Sequence, residues 1–244
     1  MVDLEGLLNY YNEDYVLLSD VMTPVDRTRK EVEYISQILG LAPGMKVLDL
    51  GCGYGRIAQE LAIAGMQVTG IDLVPAMVEK AKDRAAAAGL AIDYRLGDFS
   101  RLPTLSGFDA VIMWFFSFGY GDEVAHLKSL RNACGALKKG GLLLFDQYNT
   151  HVLAAENHPT LVDRGDTLFI HQPRPDLETG HWGVDRIVVR DGAITRSNFS
   201  CRCYTPPELR AMCQSSGFRL ARFLSEETSS YLPESRKLVT VAMK

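Results

Sequence analysis

The sequence predicts an α/β protein in which a largely parallel β-sheet carries helices on both faces. As far as Phe145, strand-like apolar runs alternate with segments of helical periodicity, which is the order that βαβ units produce. The run Leu142–Phe145 is apolar throughout, as expected of a strand buried on both faces. Beyond it the alternation stops, and strand-like runs without helical periodicity predict a separate β insertion.

Residues that begin and end helices define the elements of the alternating part. Gly40, Gly65 and Gly89 end three predicted helices, and Pro75 begins one of them. After the insertion, Thr205–Glu208 reads as a capping box that begins another helix. The predicted helices are 26–40, 56–64, 75–89, 122–137 and 205–217, and the predicted strands of the sheet are 46–50, 67–72, 92–96, 109–114, 142–145, 218–224 and 238–243.

The insertion is assigned to residues 147–203, which leaves 1–146 and 204–244 as the core domain. Its expected antiparallel strands are 167–171, 182–190 and 193–204. Asp191-Gly192, between the last two, is a strong hairpin signal. Ligands of open α/β sheets bind at the carboxyl ends of the strands, so an insertion folded across that edge would be a substrate lid. A packing appendage without a catalytic part is the alternative.

The most informative motif is VLDLGCGYGR, Val47–Arg56, in which a strand runs through three glycines into a helix. Glycines there allow a sharp turn and a close approach of the backbone to a ligand that a side chain would exclude. The next strand ends at Asp72, which offers a carboxylate to a ribose diol. A glycine loop paired with a distant acid is the nucleotide-binding arrangement of α/β folds.

The spacing of Gly51, Gly53 and Gly55 distinguishes among nucleotide ligands. A dinucleotide fingerprint has a third glycine three residues after the second, and Arg56 stands at that position instead. Asp49 would repel a pyrophosphate at the helix N-terminus and would suit a ligand that carries positive charge. S-adenosylmethionine has a sulfonium and an ammonium group and no phosphate, so the loop favours it over a dinucleotide.

Gly97-Asp98-Phe99 closes the third predicted strand with a second acid. Asp98 can accept a hydrogen bond from an adenine amino group, and Phe99 can stack on the adenine ring. Taken alone, Gly-Asp is common turn chemistry. Its position at the end of a strand is what supports the binding interpretation.

The motifs VLDLGCGYGR, GIDL, GDFSRLP, FDAVIMWFFSFGY and LKKGGLLLFDQ together resemble those of the class I S-adenosylmethionine-dependent methyltransferases. The resemblance covers the whole chain and is greatest to the small-molecule subgroup with a lid inserted after the fifth strand. It implies a Rossmann-like sheet of seven strands with the last one antiparallel, S-adenosyl-L-methionine as cofactor, and a small-molecule acceptor methylated on N or O. The residues expected at the cofactor are Tyr15, Asp49, Gly51, Cys52, Gly53, Asp72, Leu73, Met77, Gly97, Asp98, Phe99 and Trp114.

Candidates for the acceptor side follow strands four and five. Tyr120 lies in an aromatic stretch where its hydroxyl could orient an acceptor, and packing against the lid is the alternative. His151 could act as a base near neutral pH or be an exposed loop histidine. An amphipathic helix over 7–18 would bring Tyr15 over the cofactor, as the resemblance suggests, or bury a core-facing stripe. Arg27 is a candidate for the cofactor carboxylate, or a solvated arginine at a helix start.

The composition argues against several classes of function. A formal net charge of −4 gives no basic footprint for nucleic acid, and no apolar run reaches membrane-spanning length. Met1–Glu5 is unlike a secretory signal and the five cysteines are scattered, so a cytoplasmic location is expected. No HxxxH or HExxH pair is present, which disfavours a metal site. A monomer or homodimer is expected.

Two other functions stay open at the level of the sequence. The cofactor motifs would also be present in an S-adenosylmethionine-binding protein that catalyses a non-methylating step or only binds its ligand. A nicotinamide oxidoreductase is the second alternative, and Asp49 and Arg56 both count against it.

Overall fold

A computed structural model of the chain describes residues 4–102, 105–153, 155, 157–226 and 228–244. The helices are α1 Leu4–Tyr10, α2 Glu13–Met22, α3 Val25–Leu39, α4 Arg56–Ile63, α5 Pro75–Ala87, α6 Glu123–Ala136 and α7 Pro206–Ser215. The strands are β1 Lys46–Leu50, β2 Gln67–Asp72, β3 Asp93–Leu96, β4 Phe108–Met113, β5 Leu137–Tyr148, β6 Thr160–Asp163, β7 Thr167–Asp176, β8 His181–Arg190, β9 Ala193–Arg202, β10 Leu220–Ser225 and β11 Lys237–Met243.

The main sheet has seven strands in the order β10-β11-β5-β4-β1-β2-β3. The strands from β5 to β3 in that order run parallel, whereas β11 pairs antiparallel with both β5 and β10. This architecture confirms the predicted α/β fold class, its seven strands and its antiparallel last strand. The carboxyl ends of β1, β2 and β4 therefore meet at one edge of the sheet, where ligands of such folds bind.

Apolar side chains on both faces of the sheet account for its position at the centre of the molecule. Leu48 and Leu50 of β1 pack in one cluster with Val111 and Phe145, and Val47 packs in the cluster on the other face. Helix α3 covers that second face with a stripe that includes Val32, Ile35 and Leu39. Burial on both sides is the physical reason that these strands read as continuous apolar runs.

The insertion forms a second sheet of four antiparallel strands in the order β6-β7-β8-β9. Asp191 and Gly192 both have positive φ, at 51° and 75°, as the predicted two-residue hairpin requires. Strand β6 was not predicted from the sequence, and β7 extends beyond the predicted end at residue 171 to Asp176, past Pro173 and Pro175. Since β6 pairs with β7 only as far as His171, both prolines lie on a free edge where a missing N–H costs no ladder bond.

The N-terminal segment differs from its prediction, because 7–18 forms parts of two helices instead of one. The first helix ends at Tyr10, and Asn12 begins the second, its side-chain oxygen accepting the Tyr15 N–H at 3.2 Å. An asparagine that caps a helix competes with helix continuation through the same position. The break brings the rings of Tyr11 and Tyr15 into contact, with their centroids 4.6 Å apart.

The four-stranded sheet packs against these N-terminal helices. Arg190 pairs with Asp14 at 2.7 Å, and the buried Arg186 donates to the Tyr10 carbonyl oxygen. Leu18 of α2 is fully buried against two apolar residues of the insertion, Phe169 and Val188. The insertion thus packs against α1 and α2, and it also contacts the segment after β4 directly, where Trp182 and Cys201 cluster with Phe116 and Tyr120.

Candidate active site

A cavity lies at the carboxyl ends of β1, β2 and β4 and extends beneath α1 and α2. Twelve of the fourteen site residues predicted from the sequence line it, namely Tyr15, Asp49, Gly51, Cys52, Gly53, Asp72, Leu73, Met77, Asp98, Phe99, Trp114 and Tyr120. Gly97 and His151 do not line it. None of the described residues of the insertion lines it either, so the N-terminal helices supply the wall that was expected of a lid.

The glycine loop between β1 and α4 has the backbone geometry that its sequence requires. Gly51, Gly53 and Gly55 all have positive φ, at 76°, 55° and 83°, which side chains other than glycine rarely adopt. A Cβ at Gly51 would lie 2.6 Å from the Cβ of Ser117, whereas nothing lies within 4 Å of one built at Gly53. Gly53 therefore leaves open space at the cavity, as a loop that holds a ligand close to its backbone must.

Asp72 at the end of β2 is held rigidly by backbone donors. One carboxylate oxygen accepts the Gly53 N–H at 2.8 Å and the other accepts the Val74 N–H at 2.9 Å. Burial raises the pKa of the Asp72 carboxyl, and these hydrogen bonds partly oppose that shift. A fixed carboxylate beside the glycine loop keeps free lone pairs for a diol, so the ribose contact stays a prediction that this geometry supports.

Asp98 and Phe99 follow β3 at the same edge. Asp98 accepts both the N–H and the hydroxyl of Ser100, at 2.8 and 2.7 Å, through a single carboxylate oxygen. The Phe99 backbone is tied to α6 by the Asn132 amide, which donates to its carbonyl oxygen at 2.9 Å. Gly97, which does not line the cavity, donates its N–H to the Asp72 carbonyl oxygen at 2.9 Å.

Asp49 and Arg56 give the cavity two buried charges with unused hydrogen-bonding capacity. Burial raises the pKa of Asp49 to about 7, with nearby Arg56 lowering it and Asp72 raising it further. Among the described residues, Asp49 Oδ2 and Arg56 Nη2 are buried atoms without a hydrogen-bond partner. The other guanidinium nitrogen, Nη1, forms an ion pair with Glu31.

These unpartnered atoms fit the amino-acid end of S-adenosylmethionine. Arg56 Nη2 can donate to an α-carboxylate and Asp49 can accept from an α-ammonium group, and a phosphate would meet the wrong charge at Asp49. The sequence identified Arg56 only as the residue that replaces the third glycine of a dinucleotide fingerprint. Its position in the first turn of a helix that opens onto the cavity is the signal that could have marked it as a binding residue.

Aromatic side chains form the wall opposite the glycine loop. The Tyr11 and Tyr120 hydroxyl oxygens lie 2.5 Å apart, joining α1 and α2 to the segment after β4. Burial raises the pKa of both hydroxyls well above their usual value and raises that of Tyr15 to about 12. These tyrosines are therefore neutral hydrogen-bonding groups at physiological pH. Tyr11 was not predicted, because its contact with Tyr120 depends on the break between the helices.

Two other sequence candidates lie away from the cavity. His151 is exposed, and its backbone N–H donates to Asn149 at 3.2 Å. Arg27 pairs with Glu31 at 3.2 Å and donates to the Met22 carbonyl oxygen at 3.0 Å. Its guanidinium carbon lies 5.8 Å from the ring centroid of Phe115, which lines the cavity, but Arg27 itself does not line it. Within the described ranges, no cluster of metal-ligating side chains is found and no helix is long and apolar enough to span a membrane.

Comparison with known proteins places this geometry in a family. Residues 47–141 match the family model described as a methyltransferase domain. A ubiquinone biosynthesis O-methyltransferase of Nitrosococcus oceani is 34% identical over 186 residues, which are 72% of this chain and 73% of that protein. The chain belongs to the class I S-adenosylmethionine-dependent methyltransferases. This membership confirms the predicted family, with S-adenosylmethionine as its cofactor.

Relatives differ in the share of their length that matches this methyltransferase. The ubiquinone biosynthesis O-methyltransferase of Methylocella silvestris is 38% identical over 42% of this chain, and the match spans only 39% of that relative. A methyltransferase structure from Clostridium acetobutylicum superposes with a TM-score of 0.77 at 16% identity, covering 94% of this chain and 97% of the other. A sugar N-methyltransferase from a Streptoalloteichus species gives 0.70 at 17% identity, covering 96% and 93%. At such identities these two structures show the shared fold alone.

Proposed function

We propose that the protein transfers the methyl group of S-adenosylmethionine to an N or O atom of a small-molecule acceptor. The observation that carries this proposal is a single cavity that joins two kinds of wall. One wall has the glycine loop with fixed and unpartnered charges, and the other has neutral aromatic and hydroxyl groups. The first wall suits a zwitterionic adenosyl ligand, and the second suits a small, partly apolar acceptor.

The donor brings the reactive group, a methyl on a sulfonium whose leaving group is a neutral thioether. This chain has to bind the donor and to align a nucleophile with that methyl, and alignment alone accounts for effective concentrations of about 10⁵ M or more. Arg56 and Asp49 would hold the amino-acid end and Asp72 the ribose. Asp98 and Phe99 would hold the adenine, as the sequence predicts.

The acceptor side has groups that orient a nucleophile. Tyr11 and Tyr120 present paired hydroxyls that donate and accept hydrogen bonds, and the raised pKa of each keeps them protonated. His151 is exposed outside the cavity wall, so we propose Tyr120 alone of the two predicted catalytic residues. A neutral amine can attack through its lone pair without losing a proton first, whereas a hydroxyl favours a nearby base.

Several other expectations belong to this proposal. The acceptor is a metabolite or natural product, as the names of the O-methyltransferase relatives and of the sugar N-methyltransferase suggest. The net charge of −4 supports an acceptor other than nucleic acid. All five cysteines are buried and unpaired, which supports a cytoplasmic location. The core is 1–146 with 204–244, and 147–203 serves as the insertion.

Calorimetric titration with S-adenosylmethionine, S-adenosylhomocysteine and NADH in parallel tests the donor assignment. We expect micromolar binding of the two adenosyl thio-compounds and none of NADH, and binding of NADH alone would contradict the assignment. Release of S-adenosylhomocysteine with a panel of small amines, phenols and amino sugars then tests the transfer. A protein that binds the donor and releases no S-adenosylhomocysteine with any of them would favour a non-methylating role.

A further inference from the structure

The cavity wall after β4 contains a turn in an unusual backbone conformation. Phe115 and Phe116 have φ values of 67° and 64°, and both residues line the cavity. Two successive non-glycine residues in the left-handed region are strained, and such a turn persists only where its surroundings hold it. The next residue, Ser117, places its hydroxyl oxygen 2.9 Å from the Trp114 carbonyl oxygen and 3.2 Å from the Gly51 carbonyl oxygen, and a Cβ built at Gly51 would lie 2.6 Å from the Ser117 Cβ. The turn is thereby coupled to the glycine loop.

A buried carboxylate on the neighbouring strand holds this turn. Asp146 lies on β5 beside Phe145, which is opposite Met113 at the end of β4. One oxygen of Asp146 accepts the Phe116 N–H at 2.8 Å. Asp146 is 0% exposed, so this charge is withdrawn from water and depends on its protein partners.

The ion-pair partner of Asp146 lies on β11, which pairs with β5 on the side opposite β4. Lys237, at the start of β11, is 2% exposed, and its Nζ lies 3.1 Å from Asp146 and 3.1 Å from Glu226. The same Nζ lies 4.9, 5.4 and 5.2 Å from the ring centroids of Trp114, Phe115 and Phe116. Lys237 does not line the cavity, but all three rings do.

We propose that Lys237 and Asp146 are positioning residues that hold the Phe115–Phe116 turn, and through Ser117 the glycine loop, in the shape that binds the donor. The two side chains lie outside the cavity. Asp146 holds the backbone of the turn, and Lys237 holds Asp146 and packs against the rings of Trp114, Phe115 and Phe116. A buried ion pair costs desolvation and adds little net stability, so its value here is the geometry that it imposes. This inference rests on the proposed function, since it concerns the same site.

The chain offers a matched control at the opposite end of the sheet. Asp109 accepts the Lys46 N–H at 2.8 Å and pairs with Lys138 at 2.5 Å, which is the same arrangement of one carboxylate, one backbone donor and one lysine. Lys138 is half exposed, and neither it nor Asp109 lines the cavity. Lys138→Met and Asp109→Leu therefore repeat the chemical change without touching the turn.

The experiment measures amide hydrogen exchange by NMR in protein labelled with ¹⁵N-phenylalanine, together with the Kd of S-adenosylhomocysteine. In Lys237→Met and Asp146→Leu we expect exchange of the Phe116 amide to accelerate at least about tenfold more than exchange of the Phe145 amide, which reports the loss of global stability. We expect Asp146→Asn, which keeps an acceptor for the Phe116 N–H, to retain most of the protection at Phe116. The Kd should rise about tenfold in the first two variants and less than about twofold in both controls.

Unchanged Phe116 exchange in Lys237→Met would overturn the proposal. Equal acceleration at Phe116 and Phe145 would also overturn it, because the pair would then stabilise the whole sheet and not the turn. If Asp146→Leu does not fold, Asp146→Asn and Lys237→Met still decide between these results. A wild-type protein that does not bind S-adenosylhomocysteine would defeat the proposed function, and the exchange rates would still show whether the pair holds the turn.

Discussion

The two ends of the parallel sheet carry the same kind of ion pair in opposite surroundings. At the amino end, the hydrogen bond from Lys138 lowers the pKa of Asp109, and Lys138 is half exposed. At the carboxyl end, burial raises the pKa of Asp146 despite the ammonium of Lys237. The amino end therefore satisfies its charges at the surface. The carboxyl end keeps buried charges that are costly to hold, and their benefit lies in the cavity that they shape.

The largest expected difference between the two ends is in stability. Lys237→Met leaves the Asp146 carboxylate buried without its nearest cation, so we expect a loss of about 3–5 kcal/mol in the free energy of unfolding. Lys138→Met breaks a half-exposed pair and should cost about 1 kcal/mol or less. Urea unfolding of both variants measures the two values. Similar losses would mean that burial does not distinguish the pairs.

Next in size is the dependence of stability on pH that Asp49 produces. Burial raises its pKa in the folded chain from 3.8 to about 7, so the folded state binds this proton more tightly than the unfolded chain. The contribution is present below about pH 4 and is lost as the pH rises through about 7. We expect Asp49→Asn to increase the free energy of unfolding at pH 8 by about 2–4 kcal/mol, since one pKa unit corresponds to about 1.4 kcal/mol.

Asp109→Asn is the control for this pH effect, because the pKa of Asp109 is lowered and the sign is reversed. Its contribution to stability is present at neutral pH and is lost as the pH falls through the acid range. Urea unfolding at pH 4 and pH 8 should therefore show a gain at pH 8 for Asp49→Asn and a small loss for Asp109→Asn. The same sign for both variants would contradict the assigned shifts.

A smaller effect on ligand affinity is expected from the proposed hydrogen bond between Arg56 and the α-carboxylate of the donor. Replacing it by Met should weaken binding of S-adenosylhomocysteine by about 1.5–3 kcal/mol, the range for a hydrogen bond to a charged group. Binding of 5′-methylthioadenosine, which lacks the amino-acid end, should not change. Arg27→Met is the matched control, because Arg27 pairs with the same Glu31 outside the cavity. Calorimetry gives the four affinities, and equal losses for both ligands would remove Arg56 from the amino-acid end.

The smallest effect is expected for Tyr120→Phe. Loss of the hydroxyl that pairs with Tyr11 should reduce turnover about tenfold by loosening the orientation of the acceptor, with the Kd of S-adenosylhomocysteine unchanged. Tyr231→Phe removes a hydroxyl that binds Asn149, away from the cavity, and should leave turnover unaltered. Initial rates with an acceptor found in the panel provide the comparison. An unchanged rate in Tyr120→Phe would assign Tyr120 to packing.

Local sequence signals made it possible to predict the cavity wall that contains the glycine loop. Strands β1 and β2 have the predicted bounds. The signals that end them, glycines at a fixed spacing and an acid at the strand end, lie close together in the sequence. The contacts that were missed join distant segments. Asp146 meets Lys237 across two antiparallel strands, and Tyr11 meets Tyr120 only because Asn12 interrupts a helix. His151 was proposed from its place after β5, and sequence position alone could not show that its side chain lies at the surface.

We propose that the donor binds at the carboxyl end of the sheet, beside Asp72. The most direct measurement compares the Kd of S-adenosylhomocysteine for Asp72→Ala and Asp109→Ala, with folding of each verified by thermal unfolding. We predict a loss of about 1.5–3 kcal/mol in binding for Asp72→Ala and less than about 0.5 kcal/mol for Asp109→Ala. An unchanged Kd in a folded Asp72→Ala protein would contradict donor binding beside Asp72.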